Sequence, residues 1–132
     1  MTAAPARAPF APGSHPIAAH GAGAFAFAGM RHAGSILATP QGVRAIDAAS
    51  VEDLDETALA PLLAECADRP GSIEFLIVGT GGRTAALGKP LKDALRRAGL
   101  RFEAMATGPA LRVYNIMQSE NRRVAAALIA AP

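Results

Sequence analysis

One segment of the chain, residues 73–83, constrains the fold more than any other, and its sequence is IEFLIVGTGGR. An unbroken apolar run ends there in a glycine-rich turn, and a helical pattern follows from Lys89. A strand that is apolar at consecutive positions is buried on both faces, as the inner strands of an α/β sheet are. We therefore predict a central strand at 73–78, followed by a turn at the place where α/β proteins bind ligands.

The remaining patterns predict alternating helices and strands. Apolar residues at i, i+3, i+4 and i+7 indicate a helix over 55–66, whose regular part starts near Ala58 because Pro61 suits only a first turn. Similar patterns predict helices at 89–98 and 107–120 and strands at 101–106 and 123–129. Crossovers between parallel strands are right-handed. The order α-β-α-β-α-β thus predicts an α/β fold.

The N-terminal part of the chain has a different character. Residues 1–14 are rich in Pro and Ala and lack the charged start and apolar core of a signal peptide, so we predict a disordered tail. Residues 24–46 are predicted to form an antiparallel β meander, with strands at 24–30, 35–39 and 43–46. With 132 residues in all, the remainder, 15–132, is predicted to be a single α/β domain.

Composition excludes several classes of function. The net charge is only +2 and aromatic residues make up 5%, so neither a basic footprint nor a base-stacking platform for nucleic acid is present. Cys66 is the only cysteine, and His15, His20 and His32 lack ligand spacing, so we predict no disulfide and no metal site. No apolar run approaches the roughly 18 residues of a transmembrane span, and we expect a cytoplasmic protein.

The turn Gly79-Thr80-Gly81-Gly82-Arg83 has the chemistry of an anion site. It offers backbone amides, a hydroxyl and an adjacent guanidinium group. It matches neither the P-loop spacing nor the dinucleotide fingerprint, because a third glycine and a following acid are missing. The alternative interpretation is a tight strand-to-helix turn whose glycines only relieve backbone strain.

A second turn, Thr107-Gly108-Pro109, opens the last predicted helix, with Thr107 or Gly108 as the N-cap. If strands 73–78 and 101–106 are parallel neighbours, both turns lie at one edge of the sheet and form a crevice. Three polar side chains follow within two helical turns: Arg112, Tyr114 and Asn115. They line the crevice, or else Tyr114 packs in the core while Arg112 and Asn115 brace a loop.

No catalytic constellation emerges from the sequence. Ser35, His32 and Asp47 could be drawn as a triad, but no nucleophile-elbow motif surrounds the serine. The acidic run at 52–56 is interpreted as helix-start acids that complement the helix dipole. We therefore predict no catalytic residue, no cofactor and no metal, and the sequence favours a non-enzymatic role while leaving an unknown enzyme open.

Four motifs in combination resemble a known family: GSIL (34–37), LIVGTGGR (76–83), EAMATGPALRVYN (103–115) and ENRRVAAALI (120–129). The family is the domain of unknown function 498 family, whose eukaryotic member is the mitochondrial respiratory complex I assembly factor three. The resemblance covers residues 16–130 and implies a three-layer α/β/α sandwich with a mixed sheet and an extra N-terminal β meander. The positions that match the family signature are Gly34, Ser35, Gly79, Thr80, Gly81, Thr107, Gly108, Arg112, Tyr114, Asn115, Glu120 and Arg122.

The resemblance transfers no catalytic residue, and this chain departs from the family pattern at two positions. Val113 stands where the family often has a hydroxyl residue, and Leu111 where it often has a small or sulfur-containing residue. By resemblance we expect a bacterial, non-enzymatic interaction protein with protein partners, membrane-associated respiratory complex subunits among them, at the inner membrane periphery. The alternative is a small-molecule or anion-binding protein, or an unknown enzyme, that uses the crevice formed by residues 79–83 and 107–115.

Overall fold

The computed structural model describes residues 11–18 and 22–131. Its strands are β1 (Ala11–Pro12), β2 (Ala24–Phe27), β3 (Met30–Ala33), β4 (Ile36–Thr39), β5 (Gly42–Ala45), β6 (Phe75–Gly79), β7 (Arg101–Met105) and β8 (Val124–Leu128). Its α-helices are α1 (Ala60–Asp68), α2 (Lys89–Arg97) and α3 (Thr107–Ser119), and a 3-10 turn at Val51–Asp53 precedes α1. None of these helices has the length and apolar character needed to cross a membrane.

Six strands form a mixed sheet in the order β1-β5-β4-β8-β6-β7. The β6 strand runs parallel to both β7 and β8, whereas β4 pairs antiparallel with β8 and β5. Leu76, Ile77 and Val78 in β6 have no exposed surface. The apolar run at 73–78 therefore lies in an interior strand with neighbours on both sides, and β4 and β8 occupy the middle of the sheet.

Helices cover both faces of the sheet and so create three layers. Leu76 and Val78 pack into a core with α1 and α2, whereas Ile77 packs with α3 and with Phe25 of β2 on the opposite face. Alternate residues of a strand point to opposite faces, which is why one continuous apolar run supplies both cores. The predicted α/β class and mixed sheet are confirmed.

Residues 24–46 pair antiparallel, as predicted, but they divide between two sheets. The β2–β3 hairpin forms a separate two-stranded sheet, and only β4 and β5 join the main one. The predicted strand 24–30 ends at Phe27 because Ala28 and Gly29 have φ values of 49° and 76°. Two consecutive positive φ values reverse the chain in a two-residue hairpin turn.

Two predicted boundaries move. Residues 1–10 of the predicted disordered tail lie outside the described residues, but Ala11 and Pro12 pair with β5, and Ala11 is only 3% exposed. Composition did not predict this pairing, because a β ladder joins backbone groups and needs no particular side chain.

Helix α1 begins at Ala60 rather than at 55–58, because the Asp55 carboxylate accepts the Ala58 N–H at 2.8 Å and stabilises a turn instead.

Candidate functional site

The two predicted glycine turns meet at one edge of the sheet. Parallel pairing places Gly79, the last residue of β6, beside Met105 of β7 and Leu128 of β8. The Thr107 hydroxyl accepts the Gly81 N–H at 2.9 Å and donates to the Ile129 carbonyl at 2.8 Å. The Thr107 N–H in turn donates to the Gly81 carbonyl at 2.9 Å. We call Gly79–Gly81 together with Thr107 the strand-end junction, since it ties the two turns and the end of β8 together.

Close packing fills the junction. A Cβ atom added to Gly79 would lie 2.8 Å from Thr107 Oγ1 and 3.0 Å from both Thr107 Cα and Leu128 Cδ2. Real Cβ atoms essentially never show a contact as short as 2.8 Å, so α3 can approach β6 this closely only because residue 79 is glycine. The two turns therefore share one edge, as predicted, and touch where a crevice was expected.

Thr80 also bonds within the protein. Its hydroxyl donates to the Arg83 carbonyl at 2.6 Å and accepts the Ala85 N–H at 3.2 Å, while its N–H donates to the Met105 carbonyl at 2.8 Å. Gly82 and Arg83 face solvent. The groups of this turn that remain open to a ligand are therefore those of Gly82 and Arg83.

The predicted N-cap of α3 is wrong. The helix begins at Thr107, its N-cap is Ala106, and no side chain caps it. Thr107 lies inside the helix as its first residue, and its hydroxyl oxygen accepts the Gly81 N–H across the junction instead of an N–H of the helix. Gly108, the next predicted site residue, is half-buried in the first turn of α3.

Tyr114 and Asn115 hold the N-terminal part of the chain. The Tyr114 hydroxyl donates to the His15 carbonyl at 3.0 Å. The Asn115 side-chain amide accepts the Ile17 N–H at 2.8 Å and donates to the Ile17 carbonyl at 2.7 Å. It thus bonds both backbone groups of Ile17, as the backbone of a neighbouring β-strand does. We call residues 14–18 the lead-in segment and these two side chains the lead-in clamp. The clamp corresponds to the alternative in which Tyr114 packs in the core and Asn115 braces a loop.

Burial changes the acidity of the clamp. Tyr114 is 1% exposed, and desolvation by burial raises the pKa of its hydroxyl to about 12. A phenol whose pKa lies there stays protonated at neutral pH, so it acts as a hydrogen-bond donor to the lead-in segment. Sequence reasoning singled out Tyr114 and Asn115 but could not find their partner, because Ile17 lies 98 positions from Asn115.

Arg112 is the one predicted site residue of α3 whose side chain is exposed. One turn further along the helix, Ile116 is 58% exposed, and Val113 beside them is half-buried. We call Arg112, Val113 and Ile116 the outer face of α3. Ile116 was not among the predicted site residues, although its position one turn after Arg112 places it on the same side of the helix.

A cavity of about 510 Å³ lies away from both turns. Its lining residues are Ala45, Ile46, Asp47, Glu52, Asp53, Asp55, Thr57, Ala58 and Pro61. Asp53 accepts the N–H groups of Ala49 and Ser50 at 2.9 and 3.2 Å, and Asp55 caps a turn as described above. Asp53 and Asp55 thus accept hydrogen bonds from the local backbone, whereas the first turn of α1, which the acidic run was predicted to complement, contains no acidic residue. No group of metal-ligating side chains occurs within residues 11–18 and 22–131.

Comparison with known proteins shows a family and a partial similarity to a named assembly factor. A family model described as "Protein of unknown function (DUF498/DUF598)" matches residues 17–129. An uncharacterised protein of Rhodobacter capsulatus is 36% identical over 126 residues, which cover 96% of this chain and 93% of that protein. The NADH dehydrogenase (ubiquinone) 1 alpha subcomplex assembly factor 3 of Danio rerio is 40% identical over 60 residues, which cover 46% of this chain and 34% of that protein.

A solved structure supports the same assignment. The crystal structure of a Bartonella henselae protein, described there as an outer membrane protein, superimposes with a TM-score of 0.85 at 35% sequence identity. The superposition covers 92% of this chain and 99% of the other. Since the family model spans most of the chain, from residue 17 to residue 129, this protein belongs to the DUF498/DUF598 family.

Proposed function

We propose that this protein is a non-enzymatic interaction protein that acts in the assembly of respiratory complex I. The process is suggested by the Danio rerio assembly factor, of which 34% aligns with this chain. The partners we propose are membrane-associated subunits of the respiratory complex, met at the periphery of the inner membrane. The role rests on that partial relative, and the surface that we propose for it rests on the exposure of residues in α3.

The observation that carries the proposal is the exposed Ile116 beside Arg112 on the outer face of α3. Burying an exposed isoleucine side chain against a partner contributes roughly 1.5–3 kcal/mol. An arginine can grip a carboxylate through two parallel hydrogen bonds. An apolar anchor with an adjacent arginine is the composition that protein–protein interfaces favour at their centres. We therefore propose a partner that offers an apolar pocket with a carboxylate at its rim.

The two family departures favour the same interpretation. Val113 and Leu111 replace residues that are often polar, small or sulfur-containing in the family, and here Leu111 is buried while Val113 is half-buried on the outer face. Val113 adds apolar area to the outer face, whereas Leu111 packs in the core, and neither side chain supplies a hydrogen bond to a polar ligand.

The second candidate is an anion or small-molecule site at residues 79–83 and 107–115. The exposed Gly82 and Arg83 support it. Against it, the hydroxyls of Thr80 and Thr107 and the N–H of Gly81 already have internal partners at 2.6–2.9 Å. A ligand would have to displace those hydrogen bonds, so the interaction role is the better supported of the two.

A deletion strain of a host with complex I tests the proposal. We expect a reduced amount of assembled complex I on native gels and reduced NADH–ubiquinone activity, both restored by the wild-type gene. Ile116→Asp should fail to restore them. Ala64→Asp is the matched control, because Ala64 is an exposed residue of α1 on the opposite layer. Normal complex I in the deletion strain, or full rescue by Ile116→Asp, would overturn the proposal.

A further inference from the structure

The β7 strand leaves one side of its backbone without a neighbouring strand. It is the last strand of the main sheet and pairs only with β6. The Arg101 N–H donates to the Glu74 carbonyl at 3.2 Å, and the Met105 carbonyl accepts the Thr80 N–H at 2.8 Å. A parallel ladder turns successive residues alternately toward and away from the neighbouring strand. The backbone groups of Phe102 and Ala104 therefore point outward, toward the open side.

The two edges of the sheet differ in how they are protected. At the opposite edge, β1 has two residues and one of them is Pro12, which has no N–H to offer. The β7 strand has five residues and no proline. Beyond Met105 its edge is covered, because the Ala106 N–H donates to Thr84 Oγ1 at 3.3 Å. The stretch open to another strand is thus residues 101–104.

The charges on this stretch are opposite and self-complementary. Arg101 and Glu103 are both exposed, and their two-residue spacing places them on the same face of the strand. Among the residues that the structure describes, neither side chain makes an ion pair or a hydrogen bond. Each therefore remains available to a partner of opposite charge.

A second copy of β7 can pair antiparallel with the first in only one register that matches these charges. Centred on Phe102, the pairing sets Arg101 opposite the partner's Glu103 and Glu103 opposite the partner's Arg101. Centred on Glu103, it sets the two glutamates against each other, and like charges directly opposite are destabilising. Centred on Ala104, it needs residues 105 and 106, where the edge is covered.

We propose that β7 pairs with β7 of a second copy of this chain, antiparallel and centred on Phe102. Two six-stranded sheets would then join into one continuous sheet across a twofold axis. The half-buried Phe102 ring, whose centroid lies 5.4 Å from the Arg96 guanidinium carbon, would gain the partner's Phe102 as its cross-strand neighbour. Because four open residues bury little area, the dimer should be weak and depend on concentration.

Charge reversal tests the register in solution. Sedimentation equilibrium should show a monomer–dimer equilibrium for the wild-type chain, with a dissociation constant below about 1 mM. Arg101→Glu and Glu103→Arg, each alone, should weaken association at least about tenfold, because like charges then face each other at both positions. Mixing the two variants should restore association, and so should the double variant Arg101→Glu/Glu103→Arg within one chain.

Amide exchange provides a second readout that does not depend on the variants. The N–H group of Phe102 should exchange fast in dilute protein and slowly in concentrated protein. A wild-type chain that stays monomeric up to about 1 mM would overturn the proposal. So would a dimer that both single variants leave unchanged, since its interface would then lie elsewhere.

Discussion

The strand-end junction and the lead-in clamp both hold distant pieces of backbone together, but by different means. At the junction, Gly79 lets α3 approach until an added Cβ would lie 2.8 Å from Thr107 Oγ1. At the clamp, the Asn115 amide reaches out and bonds both backbone groups of Ile17 at 2.7–2.8 Å. The junction depends on a missing side chain and the clamp on a present one. Substitutions at the junction should therefore disturb three elements at once, whereas those at the clamp should release one segment.

The largest effect should come from Gly79→Ala. The new methyl group would lie 2.8 Å from Thr107 Oγ1 and 3.0 Å from the Thr107 Cα atom, which cannot rotate away, so we expect a loss of about 3 kcal/mol of unfolding free energy. Gly82→Ala is the matched control, because nothing lies within 4 Å of a Cβ there and no positive φ is required. Urea unfolding of both variants measures the difference, and equal stability of the two would disprove the close-packed junction.

Thr107→Val should be the next most damaging change. It keeps the shape of the side chain but leaves the Gly81 N–H and the Ile129 carbonyl without partners, at a cost of about 2–3 kcal/mol. Thr107→Ser retains the hydroxyl and should lose less than half of that. Thr84→Val removes only an exposed 3.3 Å hydrogen bond and should cost about 0.5 kcal/mol. If Thr107→Val matched Thr84→Val in urea unfolding, the junction hydroxyl would have no structural role.

Asn115→Ala should act locally. Two hydrogen bonds to Ile17 are lost, and we expect about 1–2 kcal/mol of destabilisation together with faster amide exchange at Ile17. Gln118→Ala is the control, because its bond to the Ser14 hydroxyl is exposed and 3.3 Å long. Faster exchange throughout β6 and β8 as well would show that the clamp supports the whole sheet, against our expectation.

Tyr114→Phe should produce a pH-dependent difference. The folded pKa is about 12, above the ordinary 10.0, so unfolded chains lose this proton first. Stability of the wild-type protein should therefore be intact below pH 10 and fall as pH rises from 10 to 12, by about 2–3 kcal/mol in total. The Tyr114→Phe variant should not show this pH-dependent loss, and its unfolding free energy should be lower than that of the wild type by about 1 kcal/mol at neutral pH.

The phenol can be followed directly, because Tyr114 is the only tyrosine and the chain has no tryptophan. Ultraviolet absorbance of the phenolate therefore titrates a single group. A midpoint near pH 10 in the folded protein would show that Tyr114 is accessible to water and would contradict its burial.

Arg112→Ala should have the smallest effect on folding. Its side chain is exposed on the outer face of α3, so stability should change by less than about 0.5 kcal/mol. Retention of partners from detergent-solubilised membranes should nevertheless fall relative to Arg97→Ala, an exposed arginine on the opposite layer. Unchanged retention would remove Arg112 from the proposed interface.

Much of the fold could be predicted from sequence alone. The apolar run at 73–78, the helix at 89–98 and the strands at 101–106 and 123–129 lie within one or two residues of the observed elements, because their patterns repeat with the period of the structure. The hairpin turn at Ala28-Gly29 was not predicted, because the alternation of large and small residues continues through it. An alanine also gives no indication in the sequence that its φ is positive.

The location of the candidate site could be predicted from sequence, but the partners of its polar groups could not. Sequence order identified Gly79, Thr80 and Thr107 as neighbours at one sheet edge, because the carboxyl ends of parallel strands meet there. It could not show whether their polar groups face a ligand or one another. Whether these groups bond to each other depends on differences of a few tenths of an ångström in the distance between two segments that lie 26 residues apart in sequence.

Local sequence determined the α/β class, the interior strand and the position of both glycine turns, because each follows from periodicity or from a backbone demand within a few residues. Only the tertiary structure decided that the turns close on each other, that Asn115 serves Ile17 and that β7 lies at an open edge. Each of these outcomes depends on which distant segment supplies the partner for a polar group, and buried polar groups take whichever partner the packing brings within reach.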